Sequence, residues 1–173
     1  MNIRKAVLSD IPGIAKVHVD SWRTTYKDIL PKDYLDSLSY AQRIKLWENN
    51  MKSQNVYIAE NKQRTIVGFS VGGKKATKGY HAYDGELYAI YILKEVQGKG
   101  VGRLLVQPVV KELIEQHINT MIVLVLEDNS SKHFYERLGA REIDTQRIKI
   151  AGTIVNELVY GWDDLGQLKG ESE

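Results

Sequence analysis

The sequence predicts a mixed α/β domain, a single sheet covered by helices on both faces, and three observations carry that prediction. Apolar patterns along the 173 residues read in the order β-α-α-β-β-β-α-β-α-β-β. The run Thr120 to Leu126, TMIVLVL, is apolar throughout, as expected of a strand covered on both faces. Between a Tyr- and Ile-rich stretch beginning at Asp84 and an apolar helical run ending in Leu113 stand Gly98, Gly100 and Gly102, so a strand passes to a helix through a glycine loop.

Taken in order, Met1 to Val7 alternates weakly and reads as a first strand. Ser9 or Asp10 caps a helix with Pro12 in its first turn, and Ile11, Ile14, Ala15, His18 and Trp22 recur at helical spacing. A loop around Pro31 leads to a short helix through Tyr34, Leu35 and Leu38, and Ser39 caps a second helical piece carrying Ile44, Trp47 and Met51. Asn55 to Glu60 and Thr65 to Gly73 read as a hairpin across the turn NKQR. The polar segment KKATKGYHAYDG is a loop before the central strand.

Pro108 falls inside the helix that carries Val101, Leu104, Leu105, Val109 and Leu113, and should kink it or lengthen its first turns. Asp128 or Asn129 caps the helix SSKHFYERL, which Gly139 ends. Ala140 to Ile150 and Thr153 to Trp162 close the chain as an antiparallel pair around Ala151-Gly152. One domain over residues 1–163 is expected, with a frayed polar tail over 164–173.

A glycine-cleared loop opening onto a helix N-terminus favours an anion, through unpaired N–H groups and the positive end of the helix dipole. Spacing narrows the choice. From Gly68 the P-loop pattern reaches Lys74, but Lys75 follows where Ser or Thr should hold Mg²⁺. The dinucleotide fingerprint has Gly98 and Gly100 in place and then Arg103 at its third glycine. What fits is Q-x-x-G-x-G, as Gln97-Gly98-Lys99-Gly100-Val101-Gly102.

Composition excludes several classes. Lys plus Arg number 24 and Asp plus Glu 22, a net charge of +2, which lacks the basic field that non-specific nucleic-acid binding needs. With no cysteine, disulfides, thiolate catalysis and Cys-based zinc sites are out, and a reducing, cytoplasmic compartment is expected. The longest apolar stretches are strand-length, so no membrane partner is expected. His18, His81, His117 and His133 form no ligand spacing, so no metal is expected.

Two blocks, LYAIYILKEVQGKGVGRLL and LEDNSSKHFYERLGA, together with the element order, resemble the GCN5-related N-acetyltransferase superfamily over residues 1–163. The resemblance implies the acyl-CoA N-acyltransferase fold, with a central mixed, mostly antiparallel sheet, and acetyl-CoA as cosubstrate. In that family two central strands splay, and the pantetheine arm pairs with main-chain groups that match Ile90, Tyr91 and Ile92. The diphosphate would meet N–H groups from Gly98 to Arg103, with Lys99 and Arg103 supplying charge. Asn129 matches an asparagine that touches the coenzyme. Tyr135 matches the acid that protonates the departing thiolate; packing beside Phe134 and Leu138 is the alternative.

Attack by an amine on a thioester requires loss of a proton, because a primary ammonium has a pKa of roughly 10.4. Glu86 precedes Gln97 by 11 residues, the spacing that resembles the catalytic glutamate of the histone-modifying members, and is the candidate base; a strand-end glutamate is the alternative. Trp22, Tyr26 and Tyr88 are candidate acceptor-pocket residues or else core aromatics. The expected acceptor is a small amine such as a polyamine, attracted by Asp28, Asp33 and Asp36, with a protein N-terminus or lysine as second reading. A CoA-binding module without turnover is the reading from another class. The family also implies dimerisation through sheet edges.

Overall fold

The computed structural model describes residues 1–168. Seven strands form one sheet in the order β1-β2-β3-β4-β5-β7-β6. They are β1 (Asn2–Lys5), β2 (Val56–Glu60), β3 (Ile66–Lys74), β4 (Gly85–Ile92), β5 (Met121–Leu126), β6 (Arg141–Ile150) and β7 (Thr153–Trp162). The helices are α1 (Ile11–Thr25), α2 (Lys32–Ser37), α3 (Tyr40–Asn50), α4 (Val101–Glu115) and α5 (Lys132–Arg137). Every strand pairing is antiparallel except β4 with β5, which is parallel. The expected order holds, and the short helix expected through Leu35 stands as α2, separate from α3.

Alternation along the strands divides the core into two layers. Val56 and Ile58 on β2 pack with Ile11, Ile14 and Val17 of α1, whereas Ala59 packs with Val101 and Leu105 of α4. Ile14 is fully buried and Val17 is 1% exposed, each stabilising by roughly 1.5–3 kcal/mol. On the same face as α1, Leu30, Leu35 and Leu38 pack on Tyr26 and Leu126. Ser39 caps α3, its hydroxyl accepting from Gln42 N at 3.4 Å. Arg4 on β1 bonds both Asp10, before α1, and Glu60 on β2, tying the N-terminal strand to its neighbours.

Three local expectations change. Pro108 lies inside α4 and the helix continues through it. The neighbouring Leu105 carbonyl accepts from the buried Ser70 hydroxyl at 2.7 Å, which anchors this turn to β3. Helix α5 begins after Ser131, whose side chain makes no capping bond, while Asn129 Oδ1 accepts from Ser131 N at 2.9 Å. The segment after Asp164 is not frayed where described: Leu165 is fully buried, its N–H bonds Asn119 O at 2.8 Å, and Leu168 is 8% exposed. The rest of the expected tail, 169–173, lies outside the described residues. The closing hairpin turns at Ala151 and Gly152, both with positive φ, as a two-residue primed turn requires.

Candidate active site

Strands β4 and β5 pair only at Gly85 with Met121 and Glu86 with Ile122. Beyond that point they diverge, and Ala89, Ile90, Tyr91 and Ile92 remain half-buried although β4 is central to the sheet. Their other edge is paired, Ile90 with Ser70 and Tyr91 with Phe69 on β3. An open main-chain edge therefore faces the gap, a row of donors and acceptors that an extended ligand can pair with.

A bulge in β4 sets what each side chain does. Ala89 pairs with Val71 and Leu87 with Gly72, so Tyr88 is an extra residue. After the bulge Tyr91 faces α1, where its ring stacks on His18 at 5.0 Å, while Ile90 and Ile92 face α4. Ile90 and Ile92 thus have their side chains in the core, and their contribution at the gap is main chain. The Tyr88 hydroxyl donates to the Lys74 carbonyl and braces the end of β3.

The loop after β4 is closed by Gln97, whose amide donates to Ile92 O at 2.9 Å, and by Lys99, whose ammonium donates to Glu95 O at 2.9 Å. Gly98 and Gly100 have φ of 71° and 79°, a conformation that L side chains rarely adopt. Gly102 is required for another reason: a Cβ there would lie 2.9 Å from the Phe134 ring. The first bond of α4 runs from Leu104 N to Gly100 O, leaving the N–H groups of Val101, Gly102 and Arg103 without intrahelical acceptors. The Val101 side chain is buried, so only its N–H is offered, and the Arg103 side chain is exposed. An open strand edge leading into free amides at a helix N-terminus fits an extended amide arm ending in a diphosphate.

Helix α5 brings Tyr135 over the gap. The residue is 5% exposed and packs in one cluster with Leu87 of β4 and Val123 and Val125 of β5. Its ring meets Trp162 edge-on at 6.0 Å. Burial, then the nearby Tyr91 hydroxyl, push its pKa above the ordinary phenol value, so the proton stays on oxygen at neutral pH. Tyr26, at the end of α1, is raised by burial and then by Tyr91 and Tyr135, with the Asn129 amide partly offsetting. Phenols from both faces of the sheet thus converge where β4 and β5 part. Asn129 is itself buried. Trp22 packs edge-on to Tyr26 at 4.7 Å, and the Arg43 guanidinium lies 6.0 Å from its ring centre.

Glu86, expected as a base, is 8% exposed and its carboxylate is already engaged. It accepts from Ala76 N and Thr77 N at 2.9 Å and from Thr77 Oγ1 at 2.8 Å, organising the turn after β3. Asp28, Asp33 and Asp36 are exposed, and Asp36 pairs with Lys32 four residues away, so they belong to the outer surface.

Sequence reasoning passed over Glu157 on β7. It shares a strand face with Val155 and Val159, stands opposite Leu126, and accepts from Gln146 Nε2 at 3.0 Å. The signal was there: a glutamate on the inward phase of an alternating strand.

The four histidines stay apart: His18 is in the core, His81 is exposed, His117 has a φ of 61° after α4, and His133 contacts Glu136. Among the described residues no three His, Asp or Glu side chains gather as metal ligands, and no helix is long and apolar enough to cross a membrane.

Residues 67–148, which contain the gap, the glycine loop and α5, match the family described as FR47-like protein. The chain is 40% identical over 169 residues to the uncharacterized N-acetyltransferase YuaI of Bacillus subtilis, covering 98% of this chain and 96% of that one. It is 31% identical over 93 residues to the ribosomal protein bS18-alanine N-acetyltransferase of Haemophilus influenzae, covering 54% and 58%. Among solved structures, a ribosomal-protein-alanine N-acetyltransferase from Brucella melitensis superposes with a TM-score of 0.73 at 21% identity, over 94% of this chain and 99% of that one. The protein yncA of Salmonella typhimurium, solved with its cofactor acetyl-CoA, superposes with a TM-score of 0.70 at 17% identity, over 100% and 96%. With this likeness along nearly its whole length, and with the open strand edge and free helix amides in the places the fold requires, the chain belongs to the GCN5-related N-acetyltransferase superfamily and is an acetyl-CoA-dependent acyltransferase.

Proposed function

We propose that the protein transfers acetyl directly from acetyl-CoA to a primary amine, with no covalent enzyme intermediate. The observation that carries this is the buried Tyr135, packed on Leu87, Val123 and Val125 beside the diverging strands β4 and β5. Acetyl-CoA supplies an activated thioester when bound. The free edge of β4 at Ile90, Tyr91 and Ile92 aligns the arm, and the N–H groups of Val101, Gly102 and Arg103 take the diphosphate, with Lys99 and Arg103 at its rim. Asn129 holds the turn that presents Tyr135, and Tyr135 donates the proton that the leaving thiolate needs. No nucleophilic Cys exists in the chain, and the architecture favours direct attack by the acceptor.

The acceptor we favour is a small primary amine, such as a polyamine, entering from the face of α1 and α2 past Trp22, Tyr26 and Tyr88. A second reading has specific support: the chain resembles an enzyme named as a ribosomal protein bS18-alanine N-acetyltransferase. Both acceptors are primary amines that enter as ammonium ions.

Initial-velocity kinetics with spermidine and with an alanine-initiated peptide, following thiol release, test the proposal. Intersecting double-reciprocal lines with one acceptor identify direct transfer and name the acceptor class. Parallel lines would overturn it, because they require an acetyl-enzyme.

A further inference from the structure

We propose that Glu157 is the specificity-determining residue that receives the acceptor's ammonium group and takes up its proton. The inference rests on the acetyltransferase reading above and names a group that the reading leaves open.

Glu157 lies on the face of the sheet that α1 and α2 cover, opposite Leu126, which packs with Tyr26. To one side lies the segment around Tyr26; to the other lies the segment of residues 75–84, where Tyr80 donates to Asp144 and Thr77 to Glu86. Glu157 is close enough to Tyr26, Tyr80 and Glu86 for its charge to bear on all three, or theirs on it. Tyr26 borders the gap between β4 and β5, so an acceptor that reaches the gap from this face passes Glu157.

The second observation is the missing cation. Glu157 is half-buried, and its described polar contact is the Gln146 amide at 3.0 Å. Among the described residues no Lys, Arg or His forms an ion pair with it. Glu86, a further carboxylate on this face, is satisfied by three loop donors. A partly desolvated carboxylate without a cation is costly unless a ligand brings one. Desolvation, then the charge of Glu86, raise the pKa of Glu157 against the opposing Gln146 bond, which makes it a better proton acceptor than an exposed glutamate.

The ammonium R–NH₃⁺ gives one proton to the Glu157 carboxylate and becomes R–NH₂. Its lone pair forms the C–N bond to the acetyl carbonyl carbon as the C–S bond breaks. Tyr135 protonates the departing thiolate and is itself reprotonated by the second proton that the new amide nitrogen sheds. The proton on Glu157 returns to water.

Glu157→Gln keeps the size of the side chain and a hydrogen bond to Gln146. Wild type and variant would be compared in two measurements: acetyl-CoA binding by titration calorimetry, and kcat/KM for spermidine, n-butylamine and an alanine-initiated peptide across pH 6–10. The expected result is unchanged acetyl-CoA affinity, a fall in kcat/KM of at least about 10²-fold, a raised acceptor KM, and recovery of part of the rate at high pH where free amine is present. Glu157→Asp should recover more activity than the amide. A variant within threefold of wild type at every pH would overturn the inference. So would a wild-type enzyme that binds acetyl-CoA yet acetylates none of the three amines. Loss of acetyl-CoA binding by wild type would instead strike at the acetyltransferase reading itself.

Discussion

Trp47 on α3 donates its indole N–H to Nδ1 of His18 on α1 across 3.1 Å. That bond places the His18 proton on Nε2 of a neutral ring. The same ring stacks on Tyr91, at 5.0 Å and 13°, so a buried imidazole links two helices to the strand whose edge is open. Burial first, and the Arg43 charge second, lower its pKa to about 3.

The pH dependence of stability follows from that shift. The unfolded chain binds a proton on His18 below about pH 6.5, and the folded chain refuses it until about pH 3. The stabilising contribution is therefore complete above the unfolded pKa and declines as the pH falls through this window, by up to about 1.4 kcal/mol per pH unit. Melting temperatures from pH 7 to pH 4 should fall more steeply for wild type than for His18→Leu. Identical slopes would remove His18 from the acid sensitivity.

Tyr135→Phe keeps the ring that packs against Phe134 and Trp162 and deletes only the hydroxyl. The variant should fold and bind acetyl-CoA normally, with kcat reduced by about 10²-fold. Turnover equal to wild type would show that the thiolate takes its proton from elsewhere.

The glycine loop separates strain from packing. A Cβ at Gly98 meets nothing within 4 Å, but its φ of 71° makes Gly98→Ala strained by about 1–2 kcal/mol. At Gly102 a side chain would strike Phe134. Gly98→Ala should weaken acetyl-CoA roughly five- to thirtyfold in calorimetry if the strain is relieved by reshaping the loop. Gly102→Val should in addition lower the melting temperature of the free protein, since the Phe134 ring must move. Equal and unaltered affinity in both variants would dissociate this loop from the coenzyme.

Glu86→Gln replaces one acceptor oxygen by a donor, so one or more of the Ala76, Thr77 and Thr77 Oγ1 bonds is lost, each worth about 1 kcal/mol. Hydrogen exchange at Ala76 and Thr77 should quicken, with kcat changed less than tenfold. A pH–rate profile that loses its basic-side rise, with loop protection intact, would instead return Glu86 to the role of base.

Much of the architecture was legible because local pattern and tertiary outcome agree. Ser39 at its cap, Ala151-Gly152 at its turn and the unbroken run MIVLVL each stand where periodicity and turn chemistry put them. The start of α5 lies past Asn129 because Asp128, Asn129 and Ser131 can all flank a helix, and only the loop's path decides that Asn129 accepts from Ser131 N. The tail was read as frayed because Leu165 and Leu168 are too few to show a period. Their burial depends on a surface supplied by elements far away in the chain.

The sequence by itself determined the strand–glycine–helix unit, the absence of thiol chemistry and the two blocks that carry the family likeness, since each is written in neighbouring residues. Tertiary structure decided what the carboxylates do. Glu86 is bound by donors at Ala76 and Thr77, ten residues or fewer away along a folded-back loop, whereas Glu157 accepts from Gln146 on the neighbouring strand and forms no ion pair among the described residues. Composition carries identical side chains in both cases. Their charge, solvation and partners are set by distances that exist only once β4 and β5 part and the helices close over the gap.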